Sequence, residues 1–543
     1  MKRFFKWIAI IIGSLVLLGL ISIAVICKRH HRSGILASGG KISDNQAAFD
    51  VSSYDITLKI LADEEKIDGV TRVEMKSLRD SLARIQLQLV RSLKIDKISY
   101  MDHLLTFERK KNNLWIHLPT PLIKGEKIKL SIEYRGSPVK AIKPPWIGGF
   151  NWSKDNEGNH WIGVSCQGEG AKIWFPCKDH PSDKPDSIAL NITVPESYYC
   201  AGNGLLRQVK QPESGWLTYC WKSRYPINNY NITINIAKYE ILQRHYFCKD
   251  GSTMPVYFYT LPGFKPQADS LLDMAVDMLY TYRKLYGEYP FAKEKFALAQ
   301  TDYLGMEHQT INSYGNNFHK TEIKGVVYDQ LMLHEMAHEW WGNKVTAKSW
   351  SDFWIHEGIG TYGEALYLLD KGGESAYHAF FDRIRPRIRN RDPVVGRKNA
   401  TSMQAYHSDI YYKGAYLLHT LRFVAGDSTL MKTLYTFVND SAFTYDNMTS
   451  TEDFINYFSD KNISELLRFY LYTTELPIIQ IKSINDTTFS VFTDNITFNM
   501  PVEMNYSGGT ITAVLGSEPV RIISSTIPVV DPQNWYLKQI NFD

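Results

Sequence analysis

The stretch LMLHEMAHEWWG, residues 331–342, decides how this chain is read. Its apolar residues recur at helical spacing, so His334 and His338, four residues apart, project from one face of a helix. Two imidazoles placed this way reach a single zinc ion at about 2.0–2.1 Å, and Glu335 then stands beside the coordination position left for water. A catalytic zinc takes a third protein ligand. Glu357 offers one, with eighteen residues between it and His338, near the start of the next helical pattern, FWIHEGIGTYGEALYLLDKGG (353–373). A glutamate in a first helical turn also has an ordinary role against the helix dipole; next to HEMAH the ligand role outweighs it. Glu364 follows Glu357 by seven residues, two turns along the same face, where it can accept the second N–H of a ligating histidine.

Outward from this segment the periodicity divides the chain. Helical patterns at 266–287, 411–426 and 451–460 place the motif in a helix-rich catalytic domain, residues 246–470. Upstream, alternation in YDITLKI (54–60), IQLQLV (85–90), IKLSIEY (128–134), IALNITV (188–194) and YNITINIAKY (230–239) predicts an N-terminal β domain over 46–245. Downstream, IIQIKSI (478–484), FSVFTDNITF (489–498), GTITAVLG (509–516) and NWYLKQINF (534–542) predict a C-terminal β module over 471–543. The fold class is multidomain α+β. The Gly- and Ser-rich residues 33–45 read as a linker. Before them, Lys2, Arg3 and Lys6 precede an uncharged apolar run from Trp7 to Cys27. At 1.5 Å per residue that run spans roughly 31 Å, the thickness of a bilayer core, and no small-residue cleavage site follows, so residues 1–32 are expected to be a cytoplasmic tip and an uncleaved transmembrane anchor.

A net charge of +4 from 61 basic and 57 acidic residues gives no field that would draw the protein onto nucleic acid. The basic run RIRPRIRNRDPVVGRK (383–398) reads as solvated surface. Six cysteines are too few for a disulfide scaffold. Cys200 and Cys220 lie in strand-like segments and are compatible either with a bridge or with two buried thiols.

HEMAHEWWG followed by WIHEG (354–358) resembles the gluzincin aminopeptidases of peptidase family M1, which include membrane alanyl aminopeptidases and the leukotriene hydrolase. Three further segments share the resemblance. LGMEHQT (304–310) puts Gly305, Met306 and Glu307 at the family's GxMEN exopeptidase motif. Tyr411-Tyr412-Lys413-Gly414 matches Y-x-K-G, which makes Tyr411 the catalytic tyrosine, and Tyr406 stands where some relatives carry a second active-site tyrosine. CQGEGAKIWFPCKDHP (166–181) places Gln167 at the family's substrate-contacting glutamine. The resemblance implies a β saddle domain, a thermolysin-like catalytic domain and a small C-terminal β-sandwich. His308 and His356 replace asparagines of the family pattern, which bears on substrate preference and pH profile. Many relatives continue into a helical domain where this chain stops, so a more open site is expected.

The expected activity is a zinc metallo-exopeptidase with one Zn2+ per chain, held by His334, His338 and Glu357. Glu335 is the general base and Tyr411 the oxyanion donor. Glu307, assisted by Glu357 and Gln167, is expected to hold the substrate ammonium, while Gly305 and Met306 align the peptide as an added strand. The partners expected are peptides with a free N-terminus and, through the anchor, a membrane with the catalytic domain on its extracytoplasmic or periplasmic side. Three alternatives stand beside this: an epoxide hydrolase with the same zinc, a thermolysin-like endopeptidase, which Glu307 and Gln167 disfavour, and an inactive anchored scaffold, which the complete ligand set disfavours.

Overall fold

The computed structural model describes residue 34 and residues 36–543. The apolar run Trp7–Cys27, expected to be an anchor, lies outside these residues, and no helix among the described residues is long and apolar enough to cross a membrane.

Alternation builds the first domain. In Phe49–Leu61 the side chains of Tyr54, Ile56, Leu58 and Ile60 are buried, while Asp55, Thr57 and Lys59 between them are partly exposed. A bulge between Val51 and Ser53 lets Phe49 and Val51 stay on the buried face as well. This strand pairs antiparallel with Lys66–Ser77 and parallel with Ser187–Pro195, at the centre of an eight-stranded sheet. A second, four-stranded sheet contains Tyr199–Gly202 and His160–Ser165 and carries the chain towards Gln167. Cys200 lies in this sheet and Cys220 in the larger one (Trp216–Ser223), and both are free, buried thiols.

The five-stranded sheet of the second domain begins at Glu240, slightly ahead of the boundary drawn from periodicity. Its order is Glu240–Phe247, Thr253–Thr260, Phe296–Gln300, Asn312–Tyr314 and, at the edge, Gly305–Met306. Against it lie helices α1 (Lys265–Tyr286) and α2 (Gln330–Ala337); α3 (Trp354–Ile384) packs on both of them, and α4 (Tyr412–Ala425) packs on α3. Helix α1 buries Leu271, Leu272, Ala275, Met278, Leu279 and Tyr282, a stripe at 3.6-residue period. Asp329 caps α2 by accepting from the Met332 N–H at 2.9 Å. Helix α3 is interrupted at Gly373 (φ 68°), the last residue of the helical pattern 353–373, and then continues to Ile384.

The C-terminal module consists of two small sheets, one of Val520–Ile523, Thr488–Thr493, Ile478–Asn485 and Gln539–Phe542, the other of Gly509–Leu515, Met500–Tyr506 and Val529–Val530. Two of its expected strands are shorter than their alternation suggested. Thr488–Thr493 stops because the Asn495 side chain ties the next residues to the start of the adjacent strand, accepting from Ile478 N–H (2.9 Å) and donating to Leu476 O (2.8 Å). Around Trp535 the Asp531 carboxylate takes the N–H groups of Trp535 and Tyr536, and the strand starts only at Gln539.

The stretch expected to be a linker makes defined contacts with both large domains. Ser38 N–H donates to Gly168 O (3.0 Å), Ser402 N–H donates to Ser38 O (3.0 Å), and Gly40 N–H donates to Ala400 O (3.3 Å).

Candidate active site

Helix α2 carries His334, and His338, the residue capping its C-terminus, stands beside it with the two Nε2 atoms 3.2 Å apart. Each ring is oriented from behind. His334 Nδ1 lies 2.9 Å from Glu364 Oε1, and His338 Nδ1 lies 3.0 Å from Trp341 O. Both partners are acceptors, so each Nδ1 carries the proton and both Nε2 lone pairs point into the same space. Glu357, in the first turn of α3, adds its Oε2 at 3.4 Å from His334 Nε2 and 3.3 Å from His338 Nε2. That oxygen is buried and has no hydrogen-bond partner. Three electron-rich atoms converging in a buried place repel one another unless a cation lies between them, and this His2Glu donor set is the one a zinc with an open position takes. His334, His338 and Glu357 therefore fit a metal ion.

Further carboxylates surround the triad. Burial pushes Glu335 up to about 8, against the pull of His334. A Cβ at residue 305 would lie 2.4 Å from Glu335 Oε1, so the carboxylate occupies a place that only a glycine at 305 leaves open. Glu307 is buried, which raises its pKa, and its Oε1 accepts from Gln167 Nε2 (2.6 Å) and from the Tyr230 hydroxyl (3.0 Å). Burying so many acids together is costly unless cations sit among them. Tyr411 stacks on the His334 ring with centroids 5.8 Å apart, and its hydroxyl is 2.7 Å from that of Tyr406.

Gln167, Gly305, Met306, Glu307, His334, Glu335, His338, Glu357, Tyr406 and Tyr411 all line one cleft of about 400 Å3, and Glu364 stands behind His334. Tyr230, which fixes Glu307, and Trp146, Leu331 and Ser408, which also line the cleft, carry no signal in the sequence that separates them from other residues of their kind. The two histidines that depart from the family pattern are interior groups. His356 Nε2 accepts from Ala347 N–H at 2.9 Å, His308 Nδ1 lies 3.1 Å from Ser313 Oγ, and burial pushes each down to about 3. Both stay neutral near neutral pH, and an influence on the pH profile there does not come from their ionisation.

The sequence matches the Peptidase M1 N-terminal domain model over residues 51–230 and the Peptidase family M1 domain model over residues 271–470. It is 24% identical over 399 residues to Protein TMA108 of Saccharomyces cerevisiae, covering 65% of this chain and 41% of that protein. It is 21% identical over 510 residues to the leucyl aminopeptidase of Saccharolobus solfataricus, covering 86% of this chain and 60% of that one. The chain thus spans roughly half the length of these curated relatives. In fold it is similar to an M1 zinc metallopeptidase of Deinococcus radiodurans solved with a Tyr-Ser-Ala substrate, with a TM-score of 0.67 and 22% identity over 80% of this chain and 96% of that one. The matched residues of the two models together account for most of the chain and include every residue of the metal triad: the chain belongs to peptidase family M1.

Proposed function

We propose that the chain is a zinc-dependent aminopeptidase that removes N-terminal residues from peptides with a free amine. The observation that carries this reading is Glu307, a buried carboxylate lining the same cleft as the metal triad and held by Gln167 and Tyr230. An acid so placed is matched by an ammonium and gains nothing from an acylated or internal amide. This favours an exopeptidase over an endopeptidase.

When held by His334, His338 and Glu357, one zinc ion per chain supplies Lewis acidity towards a carbonyl oxygen and acidifies water. Glu335 accepts a proton from the attacking water and passes it to the leaving amine, which requires it to enter the reaction as a carboxylate. Tyr411 donates its hydroxyl hydrogen to the oxygen that gains charge, with Tyr406 orienting that hydroxyl. Gly305–Met306 is the last strand of its sheet, and its outer edge pairs with the peptide backbone as a further strand. Glu364 holds the His334 ring in the tautomer that ligates. The run Trp7–Cys27 supports an anchored enzyme whose catalytic domain is extracytoplasmic or periplasmic; protease protection of sealed membrane vesicles tests the side.

The test of the activity is a panel of aminoacyl-coumarin amides, each with a free and an acetylated amine, before and after zinc chelation. Hydrolysis restricted to free amines, lost on chelation and in Glu335→Gln, is expected. Cleavage of acetylated or internal bonds instead would remove Glu307 from its role, and turnover of lipid epoxides alone would assign the site to the other chemistry of this fold.

A further inference from the structure

The basic run at 383–398 holds seven cations and one acid, Asp392. Arg383, Arg385, Arg387, Arg389 and Arg391 occupy every second position and are exposed, while Ile384 between them is buried and Ile388 partly buried. Arg397 and Lys398 are exposed as well. Among the described residues none of the seven makes an ion pair, and Arg387 alone among them has a side-chain partner, the Tyr412 hydroxyl at 3.4 Å. The backbone beneath them is pinned. The buried Asp409 carboxylate accepts from Arg389 N–H (2.9 Å) and Asn390 N–H (2.6 Å), and the Asn390 side chain donates to Thr474 O (2.6 Å) and accepts from the buried Lys413 Nζ (2.8 Å). Further on, Val395 N–H donates to Leu471 O at 2.9 Å. Like charges crowded on a fixed backbone repel, and an anionic partner relieves that repulsion.

The partner is set by where the N-terminal segment joins the fold. Eight residues, Lys28, Arg29 and Arg32 among them, separate Cys27, the end of the apolar run, from the buried Leu36. At no more than about 3.6 Å each they reach roughly 30 Å. From Leu36 the chain passes beneath the Trp350 indole at Gly39, where a Cβ would lie 2.3 Å from Trp350 Cδ1, and meets the end of the basic run. Gly40 N–H donates to Ala400 O, and Ala400 N–H donates to Arg397 O at 3.1 Å. We propose that Arg383–Lys398 is a docking surface for the anionic phospholipid headgroups of the bilayer that holds the anchor; the proposal rests on the anchor reading of Trp7–Cys27 above. A surface tethered so closely meets headgroups intramolecularly, whereas an acidic peptide has to be captured from solution. Each lysine or arginine brought to an anionic surface strengthens the contact by about fivefold. At the far end of the run Arg387 stands 5.7 Å from the centre of the Tyr412 ring, and Tyr412 lines the metal cleft, so docking brings that rim of the cleft to the membrane surface.

The test uses the full-length enzyme in nanodiscs of phosphatidylcholine alone or mixed with phosphatidylglycerol, treated with phenylglyoxal, whose reaction at each arginine is read by peptide mass spectrometry. Arg385, Arg389, Arg391 and Arg397 are expected to react about tenfold or more slowly in the anionic discs. The protection should vanish at about 1 M salt, where the screening length falls to about 3 Å. Arg385→Gln, Arg389→Gln and Arg391→Gln combined should lower the docking constant read at Arg397 by about 10²-fold. Their Tm should match wild type, since none of the three side chains has a partner to lose. Equal reaction in the two lipids overturns the proposal, and protection that arises only from added polyglutamate overturns it in favour of an acidic peptide. Retention in phosphatidylcholine discs at high salt tests the anchor separately. If the enzyme is not retained, the anchor reading fails, and sedimentation of the same protein with phosphatidylglycerol vesicles decides the surface: binding lost in the triple variant upholds it, and no binding overturns it.

Discussion

Removing the Glu364 carboxylate should weaken metal binding without touching a ligand. Glu364 Oε1 accepts from His334 Nδ1 at 2.9 Å, Oε2 accepts from Gln330 Nε2 at 2.9 Å, and the side chain is 3% exposed. In Glu364→Ala the His334 ring loses a buried, charge-assisted hydrogen bond that fixes its tautomer and makes Nε2 a better donor to a metal. Partners of this kind are worth about 10- to 100-fold in affinity, equivalent to roughly 1.4–2.8 kcal/mol. Glu364→Gln keeps an acceptor for His334 and loses the charge, and its amide N–H2 meets the donor of Gln330, which must rotate away. It should therefore fall between wild type and Glu364→Ala. Equilibrium competition for zinc against a chromophoric chelator reads the affinity directly, and kcat measured at saturating zinc separates weak binding from damaged chemistry. Zinc affinity of Glu364→Ala within twofold of wild type would refute the assignment of Glu364 as the support of His334.

Other outcomes follow from the same geometry. Tyr411→Phe should lower kcat by about 10²- to 10³-fold with KM nearly unchanged, as steady-state kinetics will show, because an oxyanion donor acts mainly in the transition state. Gly305→Ala should cut kcat steeply while zinc content measured by atomic absorption stays at the wild-type level, since the new Cβ falls on the Glu335 carboxylate and not on the metal ligands. Lys184 is buried where its ammonium donates to Asn343 O (2.6 Å) and Thr346 Oγ1 (3.0 Å), and burial pushes its pKa down to about 7. Between about pH 7 and the unfolded value of about 10.4 the unfolded chain binds the extra proton, so this group's contribution to stability rises with pH across that window and is lost as pH falls through 7. The Tm of wild type minus that of Lys184→Met should accordingly increase from pH 7 to pH 9, and an unchanged difference would contradict the shift.

The metal triad was legible because two regularities hold it: helical periodicity put His334 and His338 on one face, and a single spacing pointed to Glu357. Glu364 followed from the same helical arithmetic. Tyr411 and Glu307 were visible only through the family resemblance, since nothing local distinguishes Tyr411 among 33 tyrosines. Tyr230 was invisible for the same reason, its role arising from a contact with Glu307 across 77 residues. Residues 33–45 misled by composition. Glycine and serine there suggested freedom, whereas Gly39 is small because an indole covers it and Ser38 is held through its backbone. His308 and His356 misled by chemistry, because a histidine suggests titration until its burial is known.

The bond between Ser38 and Ser402 joins positions 364 residues apart. A ribosome adding about 5–20 residues per second needs roughly 20–70 s to cover that distance. For that interval a nascent chain has Ser38 in being while its partner in the second large domain has not been made. The seam between the two large domains that this contact closes cannot form until translation is well advanced.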